Sequence, residues 1–302
     1  MSRTLALGAS MLVLASACST GGGSKPTIKI GSDGFDEARV VAEVYAQVLE
    51  ANGYTVDRAG IGLGARKVTA AALESGQIDL KPEYIGSGLV YYEGTASNDP
   101  AKNKTDLQAK LTSVGGGITV FGYTPGQDTN ALVVTKATAD AKSLAKWSDL
   151  TAVATDLKWG LATDCPTNPV CAQALKDSYG IDTSKLNVTL LDACSTPMAD
   201  ALKAGTIDVA ELCSTGPEII VNNWVRLDDD KKTQPADAIA PIVRNDLLAK
   251  VGDKAAFQKL LDDVSAKIDT VTLADLYKQV AVDKKDTKDV ASTWLKAQGL
   301  IK

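Results

Sequence analysis

The chain has 302 residues, of which 45% are hydrophobic and 23% charged, so it can build a packed core and is neither a disordered chain nor a multi-span membrane protein. It has no histidine, which excludes Ser-His-Asp and Cys-His triads and zinc sites with histidine ligands. The 32 basic and 37 acidic residues give a net charge of -5, which argues against a nucleic-acid partner. The length predicts two lobes.

The N-terminal segment indicates export followed by a tether. Residues 1–17 contain one arginine, a short apolar run and small residues, a pattern typical of a signal peptide and too short for a permanent membrane helix. The small residues before Cys18 resemble a bacterial lipobox, with Ala15 where leucine is usual, and an ordinary secretory signal is the alternative. We expect a lipoprotein signal peptide at 1–17, a flexible tether at 18–26, and an extracytoplasmic protein that is lipid-anchored through Cys18 to the cell membrane of a bacterium.

The four remaining cysteines fit an oxidising compartment. Cys165 and Cys171 flank the short loop PTNPV, and Cys194 and Cys213 each follow a strand-like run. We predict the disulfides Cys165–Cys171 and Cys194–Cys213, one of three possible pairings, with buried free thiols as the alternative. The sequence has no CxxC motif, so zinc and thioredoxin-type chemistry have no support, and we expect neither a metal nor a cofactor.

From Thr27 onward, short β-branched runs alternate with amphipathic stretches. This order predicts an α/β fold with mostly parallel sheets covered by helices. A helix is expected from about Asp36 to Ala51, because apolar residues recur at i, i+3 and i+4 before Gly53. The tail from Asp253 to Lys302 predicts three amphipathic helices, to which we assign packing and no chemistry.

A short internal repeat supports two lobes. The segment ALESGQIDL at Ala72–Leu80 recurs as ALKAGTIDV at Ala201–Val209, with five identities in nine residues. Each copy predicts a helix end, a glycine stop and a strand, which places equivalent strands in separate lobes; a chance match is the alternative. Tyr84 and Cys213 follow the two strands, just outside their carboxyl ends, where open α/β sheets bind ligands.

Two strand-like segments, at 131–135 and 239–244, bracket the second copy of the repeat. Taken as crossovers between lobes, they divide the chain into lobe 1, comprising residues 27–132 and 241–302, and lobe 2, comprising residues 133–240. Two lobes joined by two hinge crossovers make a clamp that closes on a ligand.

Five motifs follow one another along the mature chain: GSDGFDEARVVAEVYAQVLE, ALESGQIDLKPEYIGSG, DTNALVVTK, ALKAGTIDVAELCSTGPEI and APIVRNDLL. In this order and spacing they resemble the substrate-binding proteins of osmoprotectant ABC importers, the glycine betaine, choline and proline-betaine binders of the ProX and OpuAC-like group. The resemblance implies a two-lobed type II periplasmic-binding-protein fold. It also implies a quaternary ammonium ligand, held by aromatic faces and backbone oxygens, and an ABC permease as partner.

The family's binding residues are only partly present. Tyr84 and Ser87 in PEYIGS match the cage tyrosine and a ligand-holding hydroxyl. The family's usual residues are replaced at four positions: a lysine by Asp33, two cage tyrosines by Asn130 and Cys213, and an arginine by Asn168. Because cations that would bind a carboxylate are missing, we expect glycine betaine to bind poorly.

Acidic and amide side chains take the place of these groups. The resemblance puts five of them near the cleft: Asp33, Asp36, Glu83, Asp128 and Asn130. A carboxylate attracts a cation strongly in a partly dehydrated cleft, so we predict a cation without a carboxylate, such as choline, with Asp128 as its counter-charge. The alternatives are that Asp36 and Glu37 only complement a helix dipole and that Asp128 only holds a turn.

Other residues could complete the ligand-binding set. Phe35 is the first candidate for a replacement ring, ahead of Tyr123 and Trp224, because it lies in the matching loop. Ser214 and Thr215, directly after Cys213, are the remaining candidates.

We favour a monomeric, lipid-anchored receptor that captures a small cationic or zwitterionic ligand by lobe closure and delivers it to an ABC permease. A receptor of the same fold for an amino acid, polyol or aromatic compound is the alternative. An enzyme has no support, because the sequence offers no nucleophile-base pair and no phosphate loop. A structural or adhesion role would predict no ligand-driven closure.

Overall fold

The computed structural model describes residues 25–302. The predicted signal peptide, Cys18 and most of the tether lie outside the described residues. The strands are β1 (Thr27–Asp33), β2 (Thr55–Gly64), β3 (Leu80–Tyr84), β4 (Ile118–Val120), β5 (Asn130–Val134), β6 (Lys158–Ala162), β7 (Asn187–Leu191), β8 (Val209–Cys213), β9 (Val225–Arg226) and β10 (Ile239–Arg244).

The helices alternate with these strands in the first part of each lobe. They are α1 (Asp36–Ala51), α2 (Arg66–Glu74), α3 (Ile85–Tyr91), α4 (Pro100–Leu111), α5 (Lys136–Lys142), α6 (Trp147–Leu150), α7 (Ala174–Tyr179), α8 (Thr196–Lys203), α9 (Pro217–Val221), α10 (Asn245–Leu248), α11 (Lys254–Ser265), α12 (Thr270–Ala281) and α13 (Thr287–Ala297). The predicted α/β class is confirmed.

The two sheets have the same arrangement. Their strand orders are β2-β1-β3-β10-β4 and β7-β6-β8-β5-β9. In the first sheet, β1 is parallel to β2 and β3, and β10 runs against β3 and β4. In the second, β6 is parallel to β7 and β8, and β5 runs against β8 and β9. Four strands of each sheet therefore share one direction, as predicted for two mostly parallel sheets.

The two segments that we expected to cross between lobes do not cross. β5 pairs only with strands of the second sheet, and β10 pairs only with strands of the first. The predicted boundaries after residues 132 and 240 thus fall inside strands, and the chain passes between the sheets in the segments 121–129 and 227–238. A strand completes its backbone hydrogen bonds most fully within one sheet, which explains why the crossings lie in irregular segments.

The sequence repeat marks equivalent positions in the two sheets. The Asp79 backbone N–H donates to the Lys29 carbonyl at 2.7 Å, and the Asp79 carboxylate accepts from the Lys29 N–H at 2.9 Å. Asp208 makes the same two bonds with Lys158, at 2.7 and 2.9 Å. The two copies are therefore a structural repeat and not a chance match.

Helix α1 lies at the centre of the first lobe's core. Its predicted bounds are confirmed, and Tyr45 in its middle is fully buried, with a hydroxyl 2.9 Å from the Ser265 hydroxyl of α11. Helices α11, α12 and α13 all pack against α1, which confirms the three predicted tail helices. This packing fixes the start of α1, with Phe35 and Glu37, at the edge of the sheet.

Both predicted disulfides are present. Cys165–Cys171 and Cys194–Cys213 have Cα separations of 5.1 and 5.0 Å. They are therefore structural cross-links of the second lobe, and neither pair supplies free thiols.

Among residues 25–302, no helix has both the length and the apolar character that are needed to cross a bilayer.

Candidate ligand cleft

The candidate site lies where the strands of both sheets end. β3 ends at Tyr84 and β8 ends at Cys213, and β5 begins at Asn130, directly opposite Cys213. Two adjoining cavities in this region are lined by residues of both lobes, and they share Asp128 and Cys213.

The aromatic cavity has a volume of about 290 Å³. It is lined by two rings, three carboxylates and a disulfide: Phe35, Tyr277, Glu37, Asp128, Glu218 and Cys194–Cys213. Within the described chain, no lysine or arginine lines it. The cavity is therefore both acidic and aromatic.

The polar cavity has a volume of about 410 Å³. Besides the shared residues, its polar lining includes Arg66, Ser87, Asn130, Gln234 and Asp237. Arg66 donates from Nε to Glu83 at 3.0 Å, so part of its charge is already balanced. This cavity is suited to groups that form hydrogen bonds.

Phe35, and not the predicted Tyr84, presents a ring to the aromatic cavity. Phe35 is 42% exposed, whereas Tyr84 is 4% exposed and lines neither cavity. The two ring centroids are 5.7 Å apart, so Tyr84 supports Phe35. A second ring comes from Tyr277 in α12. From the sequence we expected this helix to serve only in packing.

Glu37 lies in the first turn of α1 and is 1% exposed. One carboxylate oxygen accepts from the Tyr84 hydroxyl at 2.5 Å, and the other, Oε2, has no hydrogen-bond partner among residues 25–302. Burial and, next, the negative charge of Asp128 raise the pKa of Glu37 to about 8. A bound cation would favour the ionised form of this buried carboxyl and lower its pKa.

Asp128 lies in the first connecting segment and lines both cavities, as its predicted role requires. The Thr215 backbone N–H donates to its carboxylate at 3.4 Å, and its own backbone N–H donates to the Asp237 carbonyl at 3.1 Å. Burial raises the pKa of Asp128. The residue therefore both organises the connecting segments and exposes a carboxylate to the cleft.

Ser87 and Asp237 form a pair at the polar cavity. The Ser87 hydroxyl donates to Asp237, which also accepts from the backbone N–H groups of Gly86, at 2.8 Å, and of Ser87, at 3.0 Å. Burial raises the pKa of Asp237 to about 7. The predicted ligand-holding hydroxyl is thus engaged with a neighbouring carboxylate.

Asp33 and Glu83 are not free charges of the cleft. Lys81 is fully buried and lies 2.9 Å from Asp33 and 3.0 Å from Glu83. Neither carboxylate lines the two cavities. Lys81, together with Arg66 beside Glu83, balances these two charges within the lobe, so their placement beside the ligand stays a prediction that the cavity linings do not support.

Several other candidates hold the structure around the cleft. Ser214 accepts from the Thr129 N–H at 2.9 Å and donates to the Gln127 carbonyl at 3.1 Å, and Thr215 is 1% exposed. The remaining candidates lie away from the two cavities: Asp36 pairs with Arg39, Asn168 accepts from the Val170 N–H, and Tyr123 and Trp224 pack against the lobe cores. Asn130 and Cys213 do line the cleft.

Sequence reasoning missed several polar and aromatic residues that line the cavities, and it considered Glu37 only as a helix-dipole residue. The missed residues include Arg66, Glu218, Gln234, Asp237 and Tyr277. Asp237 stands two residues before β10, Glu218 lies in the first turn of α9 and Arg66 is the first residue of α2, positions at strand and helix ends that could have drawn attention. Tyr277, inside α12, carries no such signal.

One cluster of residues in the second lobe has the side-chain types that bind metals. Within the described residues, Cys165, Cys171 and Glu211 form such a group. Its two sulfurs are bonded to each other, so they cannot act as thiolate ligands.

Comparisons with known proteins agree with the two-lobed fold. Glycine betaine-binding protein YehZ of Escherichia coli (strain K12) is 27% identical over 99% of both chains. A glycine-betaine-binding protein of Pseudomonas aeruginosa is 24% identical over 91% of this chain and 89% of its own. A solved structure described as a glycine betaine/carnitine/choline ABC transporter superposes with a TM-score of 0.78 at 24% identity, covering 90% of this chain and 99% of that one.

The neighbours have the predicted type II periplasmic-binding-protein fold. The model of the family described as the substrate binding domain of ABC-type glycine betaine transport systems matches residues 26–297. Its members are substrate-binding proteins of importers that act outside the cytoplasm, and not enzymes. The chain therefore belongs to the OpuAC family, the substrate-binding domains of ABC-type glycine betaine transport systems.

Proposed function

We propose that this protein captures a choline-like quaternary amine and delivers it to the permease of an ABC importer. The observation that carries the proposal is the aromatic cavity, which combines two rings and three carboxylates and is lined by no basic residue of the described chain. A ligand with a permanent positive charge fits this chemistry.

The rings and carboxylates of the aromatic cavity favour a quaternary cation. A quaternary ammonium group has no N–H to donate, so it is recognised by ring faces and by negative charge around it. In a partly dehydrated cavity, each carboxylate attracts the cation more strongly than it would in water. The same carboxylates repel a ligand that carries its own carboxylate, which places choline ahead of glycine betaine.

Lobe closure follows from where the lining residues come from. Phe35, Glu37 and Tyr277 belong to the first lobe, whereas Glu218 and Cys213 belong to the second. A cation between them gains contacts from both lobes only when the cleft is closed, so binding shifts the population to the closed form. The permease would recognise that form.

The test is a screen of the mature protein by thermal shift and calorimetry. Its panel contains choline, glycine betaine, carnitine, proline betaine, ectoine, polyamines and amino acids. Choline at about 100 times its dissociation constant should stabilise the protein by about 2.7 kcal/mol. Tighter binding of glycine betaine than of choline would contradict the preference.

A matched pair of variants locates the site. Asp128→Asn removes a cleft carboxylate without changing its shape and should weaken choline binding by about tenfold or more. Asp140→Asn removes a carboxylate of α5 that pairs with Lys136 on the surface, and should leave the affinity unchanged. Equal affinities for the two variants would place the ligand elsewhere.

One observation favours the alternative, a receptor of the same fold for a non-betaine ligand. The polar cavity adjoins the aromatic one and offers Arg66, Asn130 and Gln234 to groups that form hydrogen bonds. Binding of an amino acid or polyol, with no response to any quaternary amine, would favour this alternative.

The remaining proposals concern the N-terminus and assembly. We infer that Cys18 is lipidated and that the protein is a membrane-anchored monomer. Mass spectrometry of the membrane-extracted protein should find a diacylglycerol on Cys18, and Cys18→Ser should release the protein from membranes. An unmodified Cys18 would indicate an ordinary secreted form.

A further inference from the structure

The Cys194–Cys213 disulfide forms part of the wall of the aromatic cavity. Both cysteines line that cavity and both are half-buried. Cys165 and Cys171, in contrast, are 1% and 6% exposed. The two disulfides of the second lobe therefore differ in their access to the cleft.

Cys213 controls the path of the segment that holds Asp128. It is the last residue of β8, opposite Asn130 of β5. The next backbone N–H groups bridge to the connecting segment: Ser214 donates to the Thr129 carbonyl at 2.8 Å, and Thr215 donates to Asp128 at 3.4 Å. A displacement of Cys213 would therefore be transmitted to Asp128.

Cys194 reaches β8 from a distant part of the sheet. It follows β7, and β6 lies between β7 and β8 in the strand order. Its backbone has a φ of 55°, a left-handed conformation that a residue other than glycine adopts at a cost. Its backbone N–H donates to the Glu211 carbonyl of β8 at 3.3 Å, a long bond that the disulfide supplements. The cross-link and this hydrogen bond together tie the loop to β8 at the cavity.

We propose that the Cys194–Cys213 disulfide is a positioning element of the ligand cavity, so that its reduction by a dithiol weakens ligand binding. This inference rests on the proposed function. In the reduction, the dithiol transfers two electrons and two protons to the sulfur pair, the S–S bond breaks to give two thiols, and the dithiol closes to its own disulfide.

The test compares two double variants, each of which removes one disulfide. Cys194→Ser with Cys213→Ser should raise the dissociation constant for choline at least about tenfold, measured by calorimetry at a temperature where the variant is folded. Cys165→Ser with Cys171→Ser removes the buried disulfide and should change the constant by less than about twofold. Equal losses in the two variants would mean general loosening of the lobe and would overturn the inference.

The wild-type protein provides a second measurement that needs no variant to fold. Limited treatment with dithiothreitol, followed by thiol alkylation and peptide mass spectrometry, should reduce Cys194–Cys213 before Cys165–Cys171. Saturating choline should slow that reduction, and reoxidation should restore the original affinity. Unchanged affinity after reduction of the cavity disulfide, or equal reduction rates with and without choline, would refute the positioning role.

The outcomes separate the two proposals. If wild-type protein binds choline and the cavity variant binds it equally well, only the inference about the disulfide fails. If the wild-type protein binds no quaternary amine, the proposed function fails, and the inference fails with it.

Discussion

At the scale of single residues, Glu37 has a structural task and a functional one. As an acidic residue in the first turn of α1 it complements the helix dipole. Its Oε2, buried beside Asp128 and without a hydrogen-bond partner among residues 25–302, also belongs to a carboxyl that burial and Asp128 keep largely protonated at neutral pH and that a bound cation would favour in its ionised form. The alternative that Glu37 is merely a helix cap therefore accounts for only part of its surroundings.

The first prediction compares two neighbouring carboxylates. Glu37→Gln should weaken choline binding by about 2 kcal/mol at pH 8 or above, because it removes a carboxyl that is ionised when the cation is bound. Asp36→Asn is the control, since Asp36 pairs with Arg39 outside the cavities and should leave binding unchanged. Calorimetric titration with choline measures both effects, and a larger loss in Asp36→Asn would contradict the site.

The second prediction concerns pH. In the free protein the pKa of Glu37 is about 8, raised by burial and by Asp128, and that of Asp237 is about 7, raised by burial. A permanent cation favours the ionised carboxylates, so its binding releases protons. The affinity for choline should therefore rise between about pH 6 and pH 8 and level off above, by at most about tenfold per pH unit for each proton released.

Proton release can be measured directly. Titrations in buffers of different ionisation enthalpy should give a positive number of protons released per choline at pH 7. The groups that act on Glu37 include Tyr84, Thr215, Tyr277, Asp128 and Asp237, and burial raises the pKa of both aspartates. The pH dependence should flatten in Glu37→Gln; a flat profile in the wild-type protein would contradict the assignment.

At the scale of elements, the internal repeat is a device for joining neighbouring strands. Asp79 links the start of β3 to β1, and Asp208 links the start of β8 to β6, with nearly identical hydrogen bonds. In the first copy the strand ends at Tyr84, which packs against the cavity residue Phe35, and in the second it ends at Cys213, which lines the cleft. The device therefore sets where each lobe presents its binding residues.

The third prediction tests this device in the second lobe. Asp208→Ala should lower the free energy of unfolding by about 1–3 kcal/mol, because the Lys158 N–H loses a charged acceptor. Asp208→Asn keeps an acceptor oxygen and should cost less. Urea denaturation followed by circular dichroism measures both, and equal losses would mean that the hydrogen bond contributes little.

Helix α12 contributes both to the core of the first lobe and to the aromatic cavity. In sequence it is an amphipathic helix with ordinary packing residues, and Leu273 and Leu276 do pack in the core. Tyr277 projects from the same helix into the aromatic cavity, because α12 packs against both α1 and α9. Its place at the site depends on the docking of three helices that are distant in sequence.

At the scale of the whole molecule, two irregular segments join lobes that are otherwise separate sheets. Asp128 belongs to one segment and Asp237 to the other, and they are linked by the Asp128 N–H bond to the Asp237 carbonyl at 3.1 Å. The ligand cleft and the connections between lobes are therefore built from the same residues, which couples binding to lobe movement.

The fourth prediction is a change of shape on binding. Saturating choline should reduce the radius of gyration of the wild-type protein in small-angle X-ray scattering, because the ligand bridges both lobes. Asp128→Asn at the same choline concentration should show a smaller reduction. No change in the wild-type protein, together with calorimetric binding, would mean that binding does not require closure.

The sequence by itself determined the features that local pattern encodes. The alternation of strands and helices, the bounds of α1, the repeat with its two aspartates and the two disulfides all follow from residues close together in the chain or from few possible pairings. The importer family followed from motifs spread over the mature chain.

Only the tertiary structure decided which charges remain free. Asp33 and Asp128 are both aspartates in the candidate segments, yet Lys81 neutralises the first and no basic residue of the described chain joins the second in the aromatic cavity. Tyr84 was expected to face the ligand and is buried behind Phe35. Burial and charge pairing depend on contacts between distant parts of the chain, so the same residue type becomes an internal ion pair in one place and a ligand site in another.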